Sequence, residues 1–274
     1  MASLNGTRDI DSLNKIMDNF IAKGYDFTLR KIGDSTMELH LPTRKLTAKQ
    51  SGNYIKGSHL SHLMLLEVEK KLSHGLYTPK NTDNDRWALN TVMYDPDNIY
   101  KLLGQPIVAV DIASCYWTTA YNMGLISTEL FKNGFKQDRE WKQARAAAIG
   151  SLATQIKEFK NIDGKLTLVN SYRRPYNIVR LDLIDLVWKI ANEISYELRD
   201  TFCMFLTDCF FVHAKDESKV YELLAQYDYK AKSKKCVLEN IEEYSGYHKI
   251  FWSNKDSHNK EIVFKKKDVV SWKK

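Results

Sequence analysis

The sequence predicts an α+β protein in which an antiparallel sheet is backed by helices. Near the start, one helical segment is followed by two short segments that alternate like strands. Further along, residues 107–110 form a near-continuous apolar run that is typical of a buried central strand. The longest amphipathic helix, residues 177–200, leads directly into an apolar hairpin at residues 201–214. Helices and strands that follow one another without strict alternation favour the α+β class.

The first part of the chain predicts a small α+β region, residues 1–105. Apolar residues recur at helical spacing over residues 10–20, and residues 25–32 and 35–41 alternate as two strands. A second helix ends at Gly75, and a polar loop follows it.

The remaining residues, 106–274, predict the larger sheet region. Its first strand ends in Asp111 and is followed by a helix. A long helix over residues 139–159, interrupted at Gly150, and a short strand at residues 165–170 come next.

Beyond the hairpin, the pattern predicts a helix over residues 219–227 and a strand over residues 236–241. A basic tail follows, and its lysines could hold phosphates or form a solvated end. These lysines are Lys265, Lys266, Lys267, Lys273 and Lys274.

The composition indicates an intracellular protein with a modest preference for anionic partners. The 274 residues include 41 Lys and Arg against 34 Asp and Glu, which gives a net charge of +7. The four cysteines show no Cys-x-x-Cys spacing, so neither a zinc finger nor a disulfide framework is indicated, and we expect a reducing cytoplasm. No run of eighteen apolar residues occurs, so we expect no membrane span.

Two carboxylates stand out because each one ends or interrupts an apolar strand. Asp111 closes the buried strand, and Asp208 lies on the turn of the apolar hairpin. Two ionised carboxylates brought together in an apolar setting need cations between them, and oxygen ligands favour Mg²⁺ or Mn²⁺. Two such ions could support phosphoryl transfer. The alternative is that Asp208 only forms a turn and Asp111 only caps a helix.

Four segments in the same order resemble motifs of the family B DNA polymerases. The segment DIASCY (residues 111–116) resembles the first palm motif, and LTDCFFV (residues 206–212) resembles the third. RAAAIGSLATQ (residues 145–155) is similar to the motif of the fingers helix. VLENIEEYSGYHKIFW (residues 237–252) is similar to the segment in which a strand carrying Glu leads to a Lys-Lys-x-Tyr-like stretch.

The resemblance implies a polymerase-like palm with short helical fingers inserted at residues 136–160. It implies a DNA polymerase-like nucleotidyltransferase that adds nucleotides to a primer 3′ end with two Mg²⁺ or Mn²⁺ ions. Asp111 and Asp208 would bind the metals, with the Ile112 carbonyl as a further ligand. Tyr116 would lie under the sugar of the incoming nucleotide; the alternative is a core aromatic.

The resemblance also implies contacts with phosphates and with the primer-template. Lys142 and Arg145 would meet the triphosphate, although both also suit a solvated helix face. Gly150 would let the templating base approach, or would simply allow close helix packing. The nucleic-acid contacts would come from Lys249, Arg173 and Arg174, which could equally be surface residues.

Several departures from the family pattern keep other functions open. Leu206 replaces the first aspartate of the third motif, Trp117 replaces a proline, and the fingers motif lacks its Asn and its Tyr-Gly. No exonuclease signature and little room for a thumb are found, so the resemblance is to a minimal phage or mobile-element type. We then expect low processivity, so that either a processivity or replication partner clamps the DNA or the natural product is short. The alternatives are a primase that starts chains de novo and a non-catalytic nucleic-acid-binding protein that retains a palm scaffold.

Overall fold

The computed structural model describes most of the chain and shows a mixed helix-and-strand architecture. The described ranges are residues 9–33, 36–49, 55–86, 92–94, 96–135, 139–244, 247–254, 257–265 and 269–271, and from residue 243 onward only the backbone is described. The helices in these ranges are α1 (Ile10–Ala22), α2 (Ile55–Ser73), α3 (Pro96–Lys101), α4 (Cys115–Asn122), α5 (Thr128–Gly134), α6 (Arg139–Ser151), α7 (Asn177–Glu197) and α8 (Glu217–Ala225). The strands are β1 (Thr28–Ile32), β2 (Thr36–His40), β3 (Lys45–Lys49), β4 (Val92–Tyr94), β5 (Pro106–Ile112), β6 (Gln155–Ile162), β7 (Lys165–Arg173), β8 (Phe202–Leu206), β9 (Cys209–His213), β10 (Ala231–Tyr244), β11 (Tyr247–Asn254), β12 (Ser257–Lys265) and β13 (Val269–Ser271).

The chain forms two compact units, and neither unit is continuous in sequence. Unit 1 contains Met1–Asp85 and Ile126–Arg180, and unit 2 contains Arg86–Leu125 and Leu181–Lys274. The boundary expected near residue 106 therefore lies inside unit 2. The residues predicted as inserted fingers belong to the same unit as the N-terminal segment, because β6 pairs with β1 and α6 packs on α2.

Unit 1 is built around a five-stranded antiparallel sheet with the order β3-β2-β1-β6-β7. Helix α1 packs on one face of this sheet, where Leu13 and Met17 join the buried residues Leu29, Leu39 and Leu46. Helix α1 packs here because its apolar residues recur at helical spacing and form one face, while the alternating side chains of β1 and β2 give the sheet an apolar face. Helices α2, α5 and α6 pack against one another.

The long helix predicted over residues 139–159 is wrong in its second half. Helix α6 ends at Ser151, and β6 begins at Gln155. Strand β6 pairs with β1 on one side and β7 on the other, and Arg30 Nε donates to Glu158 Oε1 across the β1–β6 pair at 2.7 Å. Pairing on both edges of β6 outweighs the local helical preference of this segment.

Unit 2 contains a sheet of eight strands with the order β12-β11-β10-β5-β9-β8-β4-β13. Its central strands are antiparallel and lie side by side as β10-β5-β9-β8. Along the chain, the elements of this core follow one another as β5, α7, β8, β9, α8 and β10, which is the split βαβ arrangement. The predicted α+β class, with antiparallel sheets backed by helices, is confirmed.

The two faces of this central sheet have different coverings. Helices α7 and α8 pack on one face, into which Val110 and Phe210 project. The buried helical residues on that face are Val187, Ile190, Ala191, Ile194, Val220 and Leu224. Helix α3 contributes Ile99 to the opposite face. Since side chains alternate along β5, Asp111 follows Ile107 and Ala109 onto the α3 face, and it is exposed there.

We expect Phe210→Ala to lower the free energy of unfolding of unit 2 by about 3–5 kcal/mol, because the substitution leaves a cavity in a closed core. The Phe210 side chain is 0% exposed, and its ring centroid lies 4.6 Å from that of Phe205. Urea unfolding followed by tryptophan fluorescence checks this value.

The matched control is Tyr196→Ala, which removes an aromatic ring that is 55% exposed on α7. We expect this change to cost less than about 1 kcal/mol. Equal losses in the two variants would contradict the placement of Phe210 in the core.

Candidate active site

The two aspartates singled out by the sequence lie at the same end of the central sheet of unit 2, Asp111 on β5 and Asp208 in the turn between β8 and β9. Asp111 is paired with Cys209 in the β5–β9 ladder, and the next residue, Ile112, donates its N–H to the Asp208 carbonyl at 2.9 Å. Directly opposed residues of an antiparallel pair lie about 5 Å apart. The pairing of β5 with β9 therefore brings the backbones of Asp111 and Asp208 close to each other, one position apart in the register, although 96 residues separate them in the chain.

The interpretation of Asp111 as a helix cap is wrong. Asp111 lies within β5, and the residue that precedes α4 as its N-cap is Ser114. Asp208 does lie in the turn between β8 and β9, as the hairpin pattern predicts.

The pKa values of two thiols, Cys115 and Cys209, depend on both carboxylates. Burial raises the pKa of Cys115 well above its ordinary value, and the charges of Asp208 and Asp111 raise it further. Burial is also the main cause of the raised pKa of Cys209, followed by the charges of Asp111 and Asp208. Each thiol is thus within electrostatic range of both carboxylates, so negative charge is concentrated at this end of the sheet.

The turn that carries Asp208 has a strained backbone. Thr207 adopts a φ of +57°, which β-branched residues rarely do, and the Asp208 N–H donates back to the Leu206 carbonyl at 2.6 Å. A three-residue turn of this kind is uncommon and costs energy. The Tyr116 hydroxyl donates to the Thr207 carbonyl at 3.2 Å, so α4 is bound to the turn.

The Ile112 carbonyl is released from ladder pairing by the same turn. In an antiparallel ladder, residues that form a hydrogen-bonded pair exchange two bonds. Ile112 N–H donates to Asp208 O, but Asp208 N–H donates to Leu206 O and not to Ile112 O. The Ile112 oxygen is thus left without this ladder bond at the end of β5 that carries Asp111, and its role as a metal ligand stays a prediction.

The chemistry of these donors fits Mg²⁺ or Mn²⁺ better than zinc. In the described part of the chain, no three His, Cys, Asp or Glu side chains gather into a group that could hold a metal by itself. Zinc sites need several nitrogen or thiolate ligands, whereas Mg²⁺ is commonly held by one or two carboxylates together with substrate phosphates and water. Asp111, Asp208 and the Ile112 carbonyl would supply the protein share of such a site.

Tyr116 lies between the core of unit 2 and the turn that carries Asp208, and its contact with a nucleotide sugar stays a prediction. Its ring packs against the core cluster formed with α7, and its hydroxyl reaches the turn next to Asp208. Trp117, which stands where the family motif has proline, is buried.

The residues predicted to contact the triphosphate have different environments in unit 1. Lys142 is exposed on α6. Arg145 is half-buried, donates to the Gly134 carbonyl and lies over the ring of Phe135, with its guanidinium carbon 5.0 Å from the ring centroid. Burial lowers the pKa of Arg145. These contacts use the guanidinium to hold the end of α5 against α6, and its role as a triphosphate ligand stays a prediction.

Gly150 and the nucleic-acid candidates are also distributed between the units. A Cβ atom at Gly150 would meet nothing within 4 Å, so close helix packing does not explain this glycine. Arg173 and Arg174 lie at the end of β7 in unit 1. Lys249 lies on β11 in unit 2, opposite Glu242, and its side chain is outside the described residues. The tail lysines Lys266, Lys267, Lys273 and Lys274 are outside the described residues as well, and Lys265 is described only as backbone of β12.

Lys232 is a site residue that sequence reasoning missed. It lies directly opposite Asp111 in the β5–β10 ladder and is exposed, and Lys230 and Lys234 are the exposed lysines two residues to either side. Alternate residues of a strand share one face, so these lysines form a row beside Asp111. The alternation of lysine in YKAKSKK, residues 229–235, is the signal that could have revealed the row.

No protein-family model and no curated protein sequence matches this chain. None of the helices in the described ranges is both long enough and apolar enough to cross a bilayer. The function of the chain is therefore inferred from the residues of the site.

We expect unit 2 to lose stability as the pH rises above about 8.5, the ordinary pKa of a thiol. Burial raises the folded-state pKa of Cys115 and Cys209, and it raises that of Cys236 to about 11. The unfolded chain then binds fewer protons than the folded chain, so each thiol costs up to about 1.4 kcal/mol per pH unit. Urea unfolding between pH 7 and 11 measures this slope.

Cys209→Ala should reduce the slope of the unfolding free energy against pH by the share of one thiol, which is up to about 1.4 kcal/mol per pH unit. Cys236→Ala should do so only up to pH 11, where the folded-state thiol itself titrates. A slope that is the same in wild type and in Cys209→Ala would contradict the buried, protonated state of this thiol.

Proposed function

We propose that this chain is a template-directed nucleotidyltransferase that adds nucleotides to the 3′ end of a primer. The observation that carries the proposal is the position of Asp111 on β5 beside the turn that carries Asp208, with the Ile112 carbonyl released between them. The reactants would be a DNA primer-template and nucleoside triphosphates inside a cell. The ions would be two Mg²⁺ or Mn²⁺.

In the proposed reaction, the primer 3′-oxygen forms a bond to the α-phosphorus of the incoming nucleotide. The bond between the α-phosphorus and the bridging oxygen breaks, pyrophosphate leaves, and the hydroxyl proton passes to solvent. Bound divalent ions lower the pKa of the attacking hydroxyl and neutralise the leaving oxygen. Asp111 and Asp208 would supply negative charge at the position where these cations are needed, Asp111 from β5 and Asp208 from the short turn that joins β8 to β9.

The fold agrees with this proposal but does not carry it. The antiparallel core β10-β5-β9-β8 with two helices on one face is the arrangement expected for a palm. The split βαβ arrangement also serves many unrelated functions, so fold alone is a weak argument. The specific support is that the two aspartates of the resembling motifs meet on this sheet.

The row formed by Lys230, Lys232 and Lys234 supports a nucleic-acid substrate. Two residues along a strand span about 6.7 Å, so successive lysines of the row can each meet a phosphate of one strand. Asp111 lies opposite Lys232. We assign the row to the primer backbone, because this places the primer end beside the carboxylates.

A non-catalytic nucleic-acid-binding protein is the second candidate. Two observations favour it: the segment that resembles the fingers motif continues from α6 into β6, and Arg145 is used in packing. Such a protein would bind a primer-template through the lysine row without extending the primer.

Primer extension tests the proposed activity directly. Wild-type protein should extend a labelled primer with Mg²⁺ or Mn²⁺, and Asp208→Asn should lower the rate by roughly a thousandfold or more, because it removes a charge that holds the ions. Asp228→Asn is the matched control, since Asp228 is exposed in the same unit at a φ of +60°, which Asn tolerates well.

The outcomes separate the two candidates. Extension that survives in Asp208→Asn refutes the site. Binding of the primer-template without extension by wild-type protein identifies the binding protein. A reaction without primer checks whether chains are started de novo.

Lys232→Ala should weaken primer-template binding and reduce the slope of log K against log salt by about one, because one phosphate contact is lost. Fluorescence anisotropy at several salt concentrations measures both effects. Lys235→Ala is the control, because Lys235 is also exposed on β10 but faces the opposite side. The same loss in both variants would show that only total charge matters.

A further inference from the structure

The apolar cover of the sheet in unit 1 ends part-way across one of its faces. A row of directly paired residues crosses this face from β3 to β7, in the order Ala48, Met37, Lys31, Lys157 and Ser171. Ala48 is 0% exposed and Met37 is 8% exposed, because both belong to the cluster under α1. The other three side chains are exposed. The part of this face that lies on β1, β6 and β7 is therefore open to solvent.

The uncovered part carries cations that no carboxylate of the same strands balances. Lys31 and Lys157 lie directly opposite each other in the β1–β6 ladder, where like charges destabilise a pair. Among the described residues, neither ammonium group forms an ion pair. Within β1, β6 and β7, no Asp or Glu side chain shares this face. The opposite face of these strands differs, since Arg30 and Glu158 form an ion pair there at 2.7 Å.

An apolar row lies beside the two lysines on the same face. Phe159 is paired with the buried Leu29 on β1 and with Leu168 on β7. Leu168 is 50% exposed, and Phe159 is half-buried with Lys31 Nζ 5.3 Å from its ring centroid. Side chains two residues apart along a strand are separated by about 6.7 Å. Positive charge and apolar surface thus lie side by side on this face.

We propose that this surface binds a single strand of nucleic acid. We call it the open face and define it by Lys31, Lys157, Phe159, Leu168 and Ser171. The two lysines contact the phosphates, whose negative charge compensates the repulsion between the ammonium groups. The bases contact the apolar row. This contact needs unpaired bases, because the flat sides of bases in a duplex are stacked on each other.

Ser171 adds a hydrogen-bond donor to the open face. The Ser171 hydroxyl oxygen accepts a hydrogen bond from Gln155 Nε2 at 3.0 Å. This bond uses a lone pair of the hydroxyl and leaves its O–H able to donate. The hydroxyl lies opposite Lys157 in the β6–β7 ladder, so it can donate to a phosphate that the lysine holds.

The composition of the open face favours a nucleic acid over an anionic membrane. A surface that binds a membrane inserts several large apolar side chains into the lipid. Among the described residues of this face of β1, β6 and β7, Leu168 is the one large apolar side chain that is strongly exposed. Phosphate contacts with a small apolar surface beside them match a nucleotide chain better.

The inference rests on the proposed function for the kind of ligand, but the two can fail separately. The open face belongs to unit 1, whereas Asp111 and Asp208 belong to unit 2. Binding of a single strand in EDTA requires neither catalysis nor a primer. Primer extension by wild-type protein, together with strand binding that is unchanged in Lys157→Glu, would overturn this inference alone.

The experiment is a titration of a labelled oligothymidylate with the full chain in EDTA, followed by fluorescence anisotropy at several salt concentrations. Lys157→Glu should weaken binding at least tenfold and reduce the slope of log K against log salt by about 0.7 or more, because a phosphate contact is lost. The matched control is Lys160→Glu. Lys160 is exposed on the same strand, but it is paired with Thr28 and lies on the opposite face. This control should lose much less affinity.

Leu168→Ser tests the apolar row. It should weaken binding of the oligothymidylate severalfold and leave the salt slope unchanged, because it removes apolar contact and no charge. Equal losses in Lys157→Glu and Lys160→Glu would overturn the proposal, since only total charge would then matter. Tighter binding of a duplex of the same length would also overturn it. So would binding to phosphatidylserine vesicles that Lys157→Glu abolishes while it leaves oligothymidylate binding unchanged.

Stability supplies a second readout. Lys157→Glu should raise the urea midpoint while strand binding falls, because an opposite-charge pair with Lys31 replaces a like-charge pair. Loss of binding in a more stable variant cannot come from unfolding. A lower midpoint with unchanged binding would make Lys157 a structural residue and overturn the proposal.

Discussion

The pairing of β5 with β9 is the constraint on which the candidate site depends. In this register Asp111 lies opposite Cys209, and Ile112 is bonded to the backbone of Asp208. The side-chain period of a strand is two, so a slip of one residue would turn Asp111 toward the core under α7 and α8 and bring Ile112 to the exposed face. The buried pair Val110 and Phe210 prevents that slip, because both side chains must stay in the apolar cluster. Packing on the face covered by α7 and α8 thus determines that Asp111 lies on the opposite face of the sheet.

Features that cost stability occur where the metal ions are proposed to bind. Thr207 holds a positive φ in the turn before Asp208. The two carboxylates also concentrate negative charge, which adds to the effect of burial in raising the pKa values of Cys115 and Cys209. Conflicts between local preference and the folded state tend to collect at functional positions. Elsewhere in the described chain, as in the α1 layer of unit 1, apolar pattern and packing agree.

The sequence was a good guide where one segment determines its own structure. Strands β5, β8 and β9 and helix α7 carry patterns strong enough to predict them, and the turn at Asp208 follows from the two apolar runs beside it. Strand β6 was missed because its partners, β1 and β7, stabilise it from outside the segment. Lys232 was missed for a related reason, since Asp111, which lies opposite it, comes from a distant position in the chain. The roles of Asp111, Asp208 and Tyr116 in catalysis remain predictions.

The interleaving of the two units has a consequence for how the protein forms during synthesis. Strand β1 needs β6 as a neighbour, and the contact between Arg30 and Glu158 spans 128 residues. When the first 85 residues have left the ribosome, the outer edge of β1 has not yet met its partner and stays open to wrong pairings. Long-range strand pairing is also slow. Nascent chains of this protein should therefore depend on chaperones until residue 173 has emerged and β7 can complete the five-stranded sheet.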